Sequence, residues 1–373
     1  MQAIILAGGK PTQLYCPTTD CPKSMVPLFD RPVMEHTIQW LARHGVKDIV
    51  VAVSHLAQDL MEHFNDGSRW GVNIRYSIES EPLGTAGAVK QARNMLDGRF
   101  LVISGDVITD FDLKAAIEYH SKTRAVATIL LGEADEPTQY GVVGRDDSGR
   151  VTRIIEKPKS GEVFSNTVSA GIYICEPEVI SCIPYDQSCD FAMRVFPAML
   201  ANQERIFGLK ASGYWCDVGD LNNYRNLHFD ALVGKLKLDL HATHIGEGIW
   251  IGERVVIDPS AELAAPVYIG DGASIGRGTK LGERTIIGEG AVIDDHANIS
   301  RSVIGRKSFV GRSSRIVNCV IGGGCSVSES ENISCQTILS RGVYEQPATH
   351  VTPAPKPERR TAETPREADR VTI

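Results

Sequence analysis

The sequence predicts an α/β domain built on a mostly parallel sheet, followed by a left-handed parallel β-helix of six-residue repeats. Three observations carry this. Over residues 1–125, apolar strand-like runs alternate with helix-like periodicity, the rhythm of βαβ units. From 245 onward Ile or Leu recurs at 245, 251, 257, 263, 269, 275, 281, 287, 293 and 299, a period of six without a break. At 373 residues the chain is long enough for two domains. The expected division is 1–230 for the α/β domain, 231–244 for a linker, 245–342 for the β-helix and 343–373 for a disordered tail.

Each element follows from local pattern. Ala3 to Ala7 is an apolar strand that runs into Gly8-Gly9. Met34, Ile38 and Leu41 recur at helical spacing, with Gly45 as the C-cap. Asp48 to Val53 reads as a strand, Leu56 to Phe64 as a helix and Asn73 to Ile78 as a strand. Thr85 is placed to N-cap a helix running to Leu96. Phe100 to Ser104 is a strand that ends on Gly105-Asp106. Ligands of such sheets bind at the carboxyl ends of strands, where Gly8, Glu79 and Asp106 all fall. From 126 to about 229 the pattern is mixed. Strands are expected at Val126 to Leu131, Tyr140 to Val143, Val151 to Ile155, Ala170 to Ile174 and Tyr214 to Val218, with a helix from Asp190 to Leu200 despite Pro197.

In the repeat, Gly directly follows the aliphatic residue at 246, 252, 270, 276, 282 and 288. The register slips by one to Ile304, continues at Val310 and Ile316, then slips again to Ile321, Val327 and Ile333. Three rungs make one triangular turn, and the series amounts to about five coils. The aliphatic residue fills the interior, and small residues follow at the corner. Such a solenoid is mainly a structural device, and its exposed ends and flanks favour self-association. A homo-oligomer is therefore expected. The tail after about 343 is proline-rich, charged and nearly without large apolar residues.

Bulk properties exclude several classes. A net charge of −7 leaves no basic footprint for nucleic acid. The nine cysteines are scattered, with no C-x-x-C pair, which points to reduced thiols in a cytoplasmic protein and away from a zinc site. No apolar run reaches the roughly 18 residues of a membrane span. No basic region follows Met1, so no signal peptide is expected.

The chemistry concentrates in a few motifs. A strand opening into a glycine turn presents backbone N–H groups to phosphates. The turn is not a Walker loop, because Gly9-Lys10 is followed by Pro11. Asp106, at the end of an apolar strand, and Asp217, in Gly213-Tyr-Trp-Cys-Asp-Val-Gly219, are distant carboxylates of the kind that suit Mg²⁺. Either alone would as readily cap a turn. Lys23 after Pro22 would by itself read as a solvated charge, and Glu79 as an acid before a helix N-terminus.

Together these stretches resemble the sugar-1-phosphate nucleotidyltransferases, and most closely the mannose-1-phosphate guanylyltransferases. The family signature L-A-G-G-x-G-T-R-L is followed by P-K-x-M-x-P. Here Leu6-Ala7-Gly8-Gly9, Thr12, Leu14 and Pro22-Lys23-Ser24-Met25-Val26-Pro27 match. The resemblance implies a Rossmann-like domain in which Leu6, Gly8, Gly9 and Gln13 line the nucleotide. Lys23 would grip the α-phosphate, and Asp106 and Asp217 would hold Mg²⁺. Glu79-Ser-Glu-Pro-Leu-Gly-Thr-Ala-Gly87 is similar to the guanylyltransferase stretch E-x-E-P-L-G-T-A-G. It makes Glu79 the candidate base reader, since a carboxylate accepts paired hydrogen bonds from guanine N1–H and its amine, with Gly84 letting the chain lie close to the ring. Tyr140-Gly141, Glu156-Lys157-Pro158, Asn166 and Ala170-Gly171 match the sugar side. There Gly141, Glu156, Lys157, Asn166 and Gly171 would hold the sugar phosphate. Ser169 stands where guanylyltransferases usually carry Asn.

The glycine loop departs from the family. Pro11 replaces a glycine, fixing φ and removing an N–H. Gln13 replaces an arginine, and losing that forked cationic donor is not conservative. Three readings follow. The first is an enzyme transferring a guanylyl group from GTP to a sugar 1-phosphate with Mg²⁺. The second is a regulatory paralogue that binds nucleotide or nucleotide sugar and pairs with a catalytic subunit. The third is a repeat acyltransferase using His244 or His296, for which a solvated rung corner is the competing role.

Overall fold

The computed structural model describes residues 1–8, 22–54, 57–185, 187–339 and 342–345. It divides into two compact units, Met1–Asp239 and Leu240–Ile373.

The first unit is built on a nine-stranded sheet. Its centre is parallel: Gln2–Leu6 lies between Asp48–Val53 and Phe100–Ser104, and Asn73–Ile78 forms the next strand out. The three inner strands are near-continuous apolar runs because both faces are covered, whereas Asn73–Ile78 has exposed positions along it. Alternate residues serve opposite layers. Ala3, Ile5, Ile49, Val51, Leu101 and Ile103 join one core with Met34, Ile38 and Leu41 of the helix Val33–Arg43. Ile4, Val50, Ala52, Phe100 and Val102 join the other with Ala86 and Val89 of the helix Gly84–Gln91. Beyond Phe100–Ser104 the sheet turns antiparallel through Thr167–Cys175, Gly141–Arg145 and Val151–Glu156. Ala127–Glu133 pairs with Thr167–Cys175 and, in parallel, with Ile206–Lys210.

Two local readings change, and three elements are added. Thr85 is not an N-cap; its hydroxyl donates to Asp190 Oδ2 (2.7 Å) and accepts from Phe191 N–H. The helix expected from Asp190 begins with a π turn, Phe191–Val195, capped by the Asp190 side chain, and continues as Phe196–Ala201. The strand Ile206–Lys210 and the helices Leu113–Thr123 and Leu221–Leu232, capped by Asp112 and Asp220, belong to the unit as well. Among the described residues no helix is long and apolar enough to cross a membrane.

The second unit is a parallel β-helix of three sheets, of the left-handed triangular type. Each coil contributes one strand per sheet, and the interior positions stack in register: Ile251 on Ile269 on Ile287, then Ile304 and Ile321, then Ile338. Ile269, Ile287, Ile304 and Ile321 are fully buried, each worth about 1.5–3 kcal/mol of burial. The shortened rungs, 299 to 304 and 316 to 321, and a third from 333 to 338, all fall at the same corner, so the stack is kept. At Gly252, Gly276 and Gly288, coil-to-coil approach leaves no room for a side chain. A β-carbon on Gly288 would lie 2.7 Å from the Arg306 nitrogen, and one on Gly276 2.7 Å from that of Asp295. The series starts later than its first repeat suggests. Ile245 is exposed, and the strand before it, Thr243–His244, pairs antiparallel with Ile249–Ile251.

Candidate functional site

The parallel strands deliver their ends to one edge of the sheet. Gly105 N–H donates to the Leu6 carbonyl, and a β-carbon on Gly105 would stand 3.0 Å from that oxygen and 3.3 Å from Ser24 Cβ. A side chain at 105 would have to push the turn into Asp106 a few tenths of an ångström from the first strand. Asp106 then points at the single turn Lys23–Met25: Lys23 Nζ lies 3.9 Å from Asp106 Oδ2, while Ser104 Oγ donates to Oδ1 at 2.6 Å.

Asp217 reaches the same place from far down the chain. Its short strand, Trp215–Asp217, runs antiparallel to Val107–Thr109 with Asp217 opposite Val107, and Val218 N–H donates to the Asp106 carbonyl. Paired Cα atoms are about 5.5 Å apart or less and neighbours 3.8 Å, so the Cα atoms of Asp106 and Asp217 lie within about 9 Å. Asp217 Oδ1 accepts from Tyr140 OH (2.9 Å) and from Asn223 Nδ2 (3.2 Å). Burial, then the negative charge of Asp106, raise its affinity for a proton; the Tyr140 hydrogen bond and the Lys23 charge oppose them. Like charges held together this way call for a cation. Among the described residues no cluster of three or more His, Cys, Asp or Glu side chains could hold a metal ion. Two carboxylates still fit Mg²⁺, which binds through one or two and completes its shell with phosphate and water.

Of the residues expected to line the nucleotide, Glu79 is 5% exposed, and its Oε2 accepts from Leu83 N–H at 3.0 Å. A β-carbon on Gly8 would lie 3.2 Å from Glu79 Oε1, so the end of the first strand and this carboxylate share one wall. Burial pushes the Glu79 pKa up, and the Leu83 hydrogen bond only partly offsets it. Gly84 has a packing reason to be glycine: its φ is +73°, and a β-carbon there would meet the Cys189 carbonyl at 2.6 Å. Gly9 and Gln13, with Pro11, lie outside the described residues.

Of the residues expected to hold the sugar phosphate, Glu156 pairs with Gly141, and a β-carbon on Gly141 would stand 2.7 Å from Glu156 Oε2. Burial first, then the neighbouring Asp190, raise the Glu156 pKa, against the pull of Lys157. Lys157 holds a left-handed φ of +44°, with its N–H donating to the Tyr140 carbonyl at 2.9 Å. Gly171 sits at φ +71° where the pairing register of its strand shifts, and Trp215 Nε1 donates to the adjacent Ala170 carbonyl. The Asn166 carbonyl accepts from Ala134 N–H, an anchoring of the strand entry.

Asn223, Ser104 and Asp190 are site neighbours that the sequence motifs gave no role, and the bond from Tyr140, whose motif did match, to Asp217 was not expected either. A signal existed for Asn223: Asp220 caps a helix and accepts from Asn223 N–H, fixing Asn223 in the first turn beside Asp217. In the second unit His244 stacks on Trp250 at 4.5 Å, and His296 takes a left-handed corner at φ +61°.

The chain is similar to known proteins along both units. The family model described as Nucleotidyl transferase matches residues 2–232, and that described as GMPPB C-terminal domain matches 263–354. A UTP–glucose-1-phosphate uridylyltransferase from Synechocystis is 34% identical over 72% of this chain and 74% of its own. A mannose-1-phosphate guanyltransferase from Yarrowia lipolytica is 35% identical over 71% and 73%. A Bacillus anthracis protein solved with sucrose shares the fold of the first unit, with a TM-score of 0.58, 24% identity, and coverage of 64% of this chain and 97% of that one. The chain belongs to the nucleotidyl transferase family, as an enzyme of the group that transfers nucleotidyl groups to sugar 1-phosphates.

Proposed function

We propose that this protein transfers a guanylyl group from GTP to mannose 1-phosphate, releasing pyrophosphate, with Mg²⁺ held by Asp106 and Asp217. The observation that carries the reading is the meeting of Asp106, Asp217 and Lys23 at one strand edge. A phosphate oxygen of the sugar phosphate attacks the α-phosphorus in line, and the bond from that phosphorus to pyrophosphate breaks. Positioning and charge stabilisation are the protein's part in such a reaction. Lys23 neutralises charge growing on the α-phosphoryl oxygens. Bound Mg²⁺ supplies charge neutralisation on the phosphate oxygens that Asp106 and Asp217 bring it to. Glu79 selects guanine through paired hydrogen bonds, Leu6, Gly8, Gly9, Gln13 and Gly84 shape the nucleotide wall, and Glu156, Lys157, Asn166, Gly141 and Gly171 hold the sugar phosphate.

Pyrophosphate release measured with GTP, UTP, ATP and dTTP against mannose and glucose 1-phosphates tests this. Highest kcat/KM for GTP with mannose 1-phosphate is expected; a higher value for UTP with glucose 1-phosphate overturns the base and sugar assignments. Pro11 and Gln13 favour a second reading, a regulatory paralogue that binds nucleotide sugar and pairs with a catalytic subunit. Turnover that emerges only in Pro11→Gly with Gln13→Arg would select that reading, because a lost transition-state donor costs about 10²–10³ in rate.

A further inference from the structure

Tyr140 stands between the two halves of the site. Its hydroxyl donates to Asp217 Oδ1 at 2.9 Å, and its carbonyl accepts from Lys157 N–H at 2.9 Å. Its ring packs edge-on against Trp215, centroids 5.3 Å apart, and Trp215 is tied by Nε1 to the Ala170 carbonyl. Among the described residues, the hydrogen bonds to the Asp217 carboxylate all land on Oδ1, from Tyr140 and Asn223. Oδ2 takes neither of these bonds, and a β-carbon on Gly219 would stand 2.8 Å from it. Partners behind a metal ligand set its orientation, and removing one typically weakens the metal by about 10–100-fold.

We propose that Tyr140 is a positioning residue for the transfer. Its hydroxyl turns Asp217 so that Oδ2 meets the divalent ion, while its backbone sets the lysine of the sugar-phosphate side. One residue thereby registers the metal carboxylate against the acceptor substrate. The inference rests on the reading of Asp217 as a metal ligand.

The test uses the full chain as wild type, Tyr140→Phe, Asn223→Leu, the double variant and Asp217→Asn. Mn²⁺ binding is read from the EPR signal of the free ion, and pyrophosphate release is titrated with Mg²⁺. Phe keeps the ring on Trp215, so only the hydroxyl is removed. Tyr140→Phe is expected to weaken Mn²⁺ about tenfold and to raise the Mg²⁺ needed for half-maximal rate about equally. Its KM for sugar 1-phosphate stays within twofold, because the backbone bond to Lys157 remains. Loss of both donors is expected to weaken Mn²⁺ about 100-fold. If Asp217→Asn abolishes Mn²⁺ binding while Tyr140→Phe and the double variant bind within twofold of wild type, the positioning role is wrong and the metal ligand stands. If Asp217→Asn binds Mn²⁺ like wild type, both fall.

Discussion

Gly141→Ala is the perturbation that best separates site from scaffold. The new β-carbon would stand 2.7 Å from Glu156 Oε2, while Ala192 and Ser169 lie at a comfortable 3.7 Å. Ordinary contact begins near 3.4 Å, so the carboxylate must retreat by about 0.7 Å. The backbone has no cause to move, since the atom in the way ends a flexible side chain. The retreat is not free to take any direction: Asp190 repels the carboxylate and Lys157 attracts it. If Glu156 orients the sugar, a shift approaching 1 Å costs about 10–100-fold, or roughly 1.4–2.7 kcal/mol of transition-state stabilisation. The assay is pyrophosphate release at varied sugar 1-phosphate and saturating nucleotide, beside a thermal melt. We expect kcat/KM for the sugar phosphate to fall by that factor, with the KM for nucleotide unchanged and the melting temperature within about 3 °C. A value within twofold of wild type refutes the role given to Glu156. A large drop in melting temperature would refute the premise that the clash is absorbed by the side chain.

Glu79→Gln should narrow the preference for GTP over UTP by about tenfold or more, because an amide cannot accept both guanine donors; unchanged relative kcat/KM refutes the base-reading role. Ile304→Ala, in the fully buried stack, should cost about 2–5 kcal/mol in denaturant unfolding of the β-helix; a loss under about 1 kcal/mol would mean that the stack collapses around the gap. His228 supplies a pH test. It is fully buried, with Phe29 N–H donating to Nε2 and Nδ1–H donating to the Tyr224 carbonyl. Burial lowers its pKa from 6.5 to about 4, so the unfolded chain takes up the proton first. Stability from this group is full above pH 6.5 and is lost as pH falls toward 4, by about 3 kcal/mol in all. Urea midpoints between pH 7.5 and 4.5 should show that slope, and His228→Gln should flatten it; equal slopes refute the assignment.

Much of this was legible in one sequence, for definite physical reasons. A strand covered on both faces must be apolar throughout, so Gln2–Leu6, Asp48–Val53 and Phe100–Ser104 stand out as runs. A solenoid that stacks one interior position per rung repeats it at fixed spacing, so the period of six reveals the β-helix, and the slips declare themselves because the stack cannot lose register. The motifs shared with the family singled out Asp106, Asp217, Lys23 and Glu79 in the sequence. Tertiary structure decided what depends on approach between distant segments. Thr85 does not cap its own helix: its hydroxyl donates to Asp190, 105 residues on, and accepts from Phe191 N–H. Gly84 is glycine for the Cys189 carbonyl, which no local pattern announces. Tyr140 meets Asp217 from 77 residues away, and an antiparallel pair sets Asp217 opposite Val107, next to Asp106. Local pattern encodes the elements, whereas the orientation of one carboxylate oxygen is set by contacts that exist only once the chain has closed.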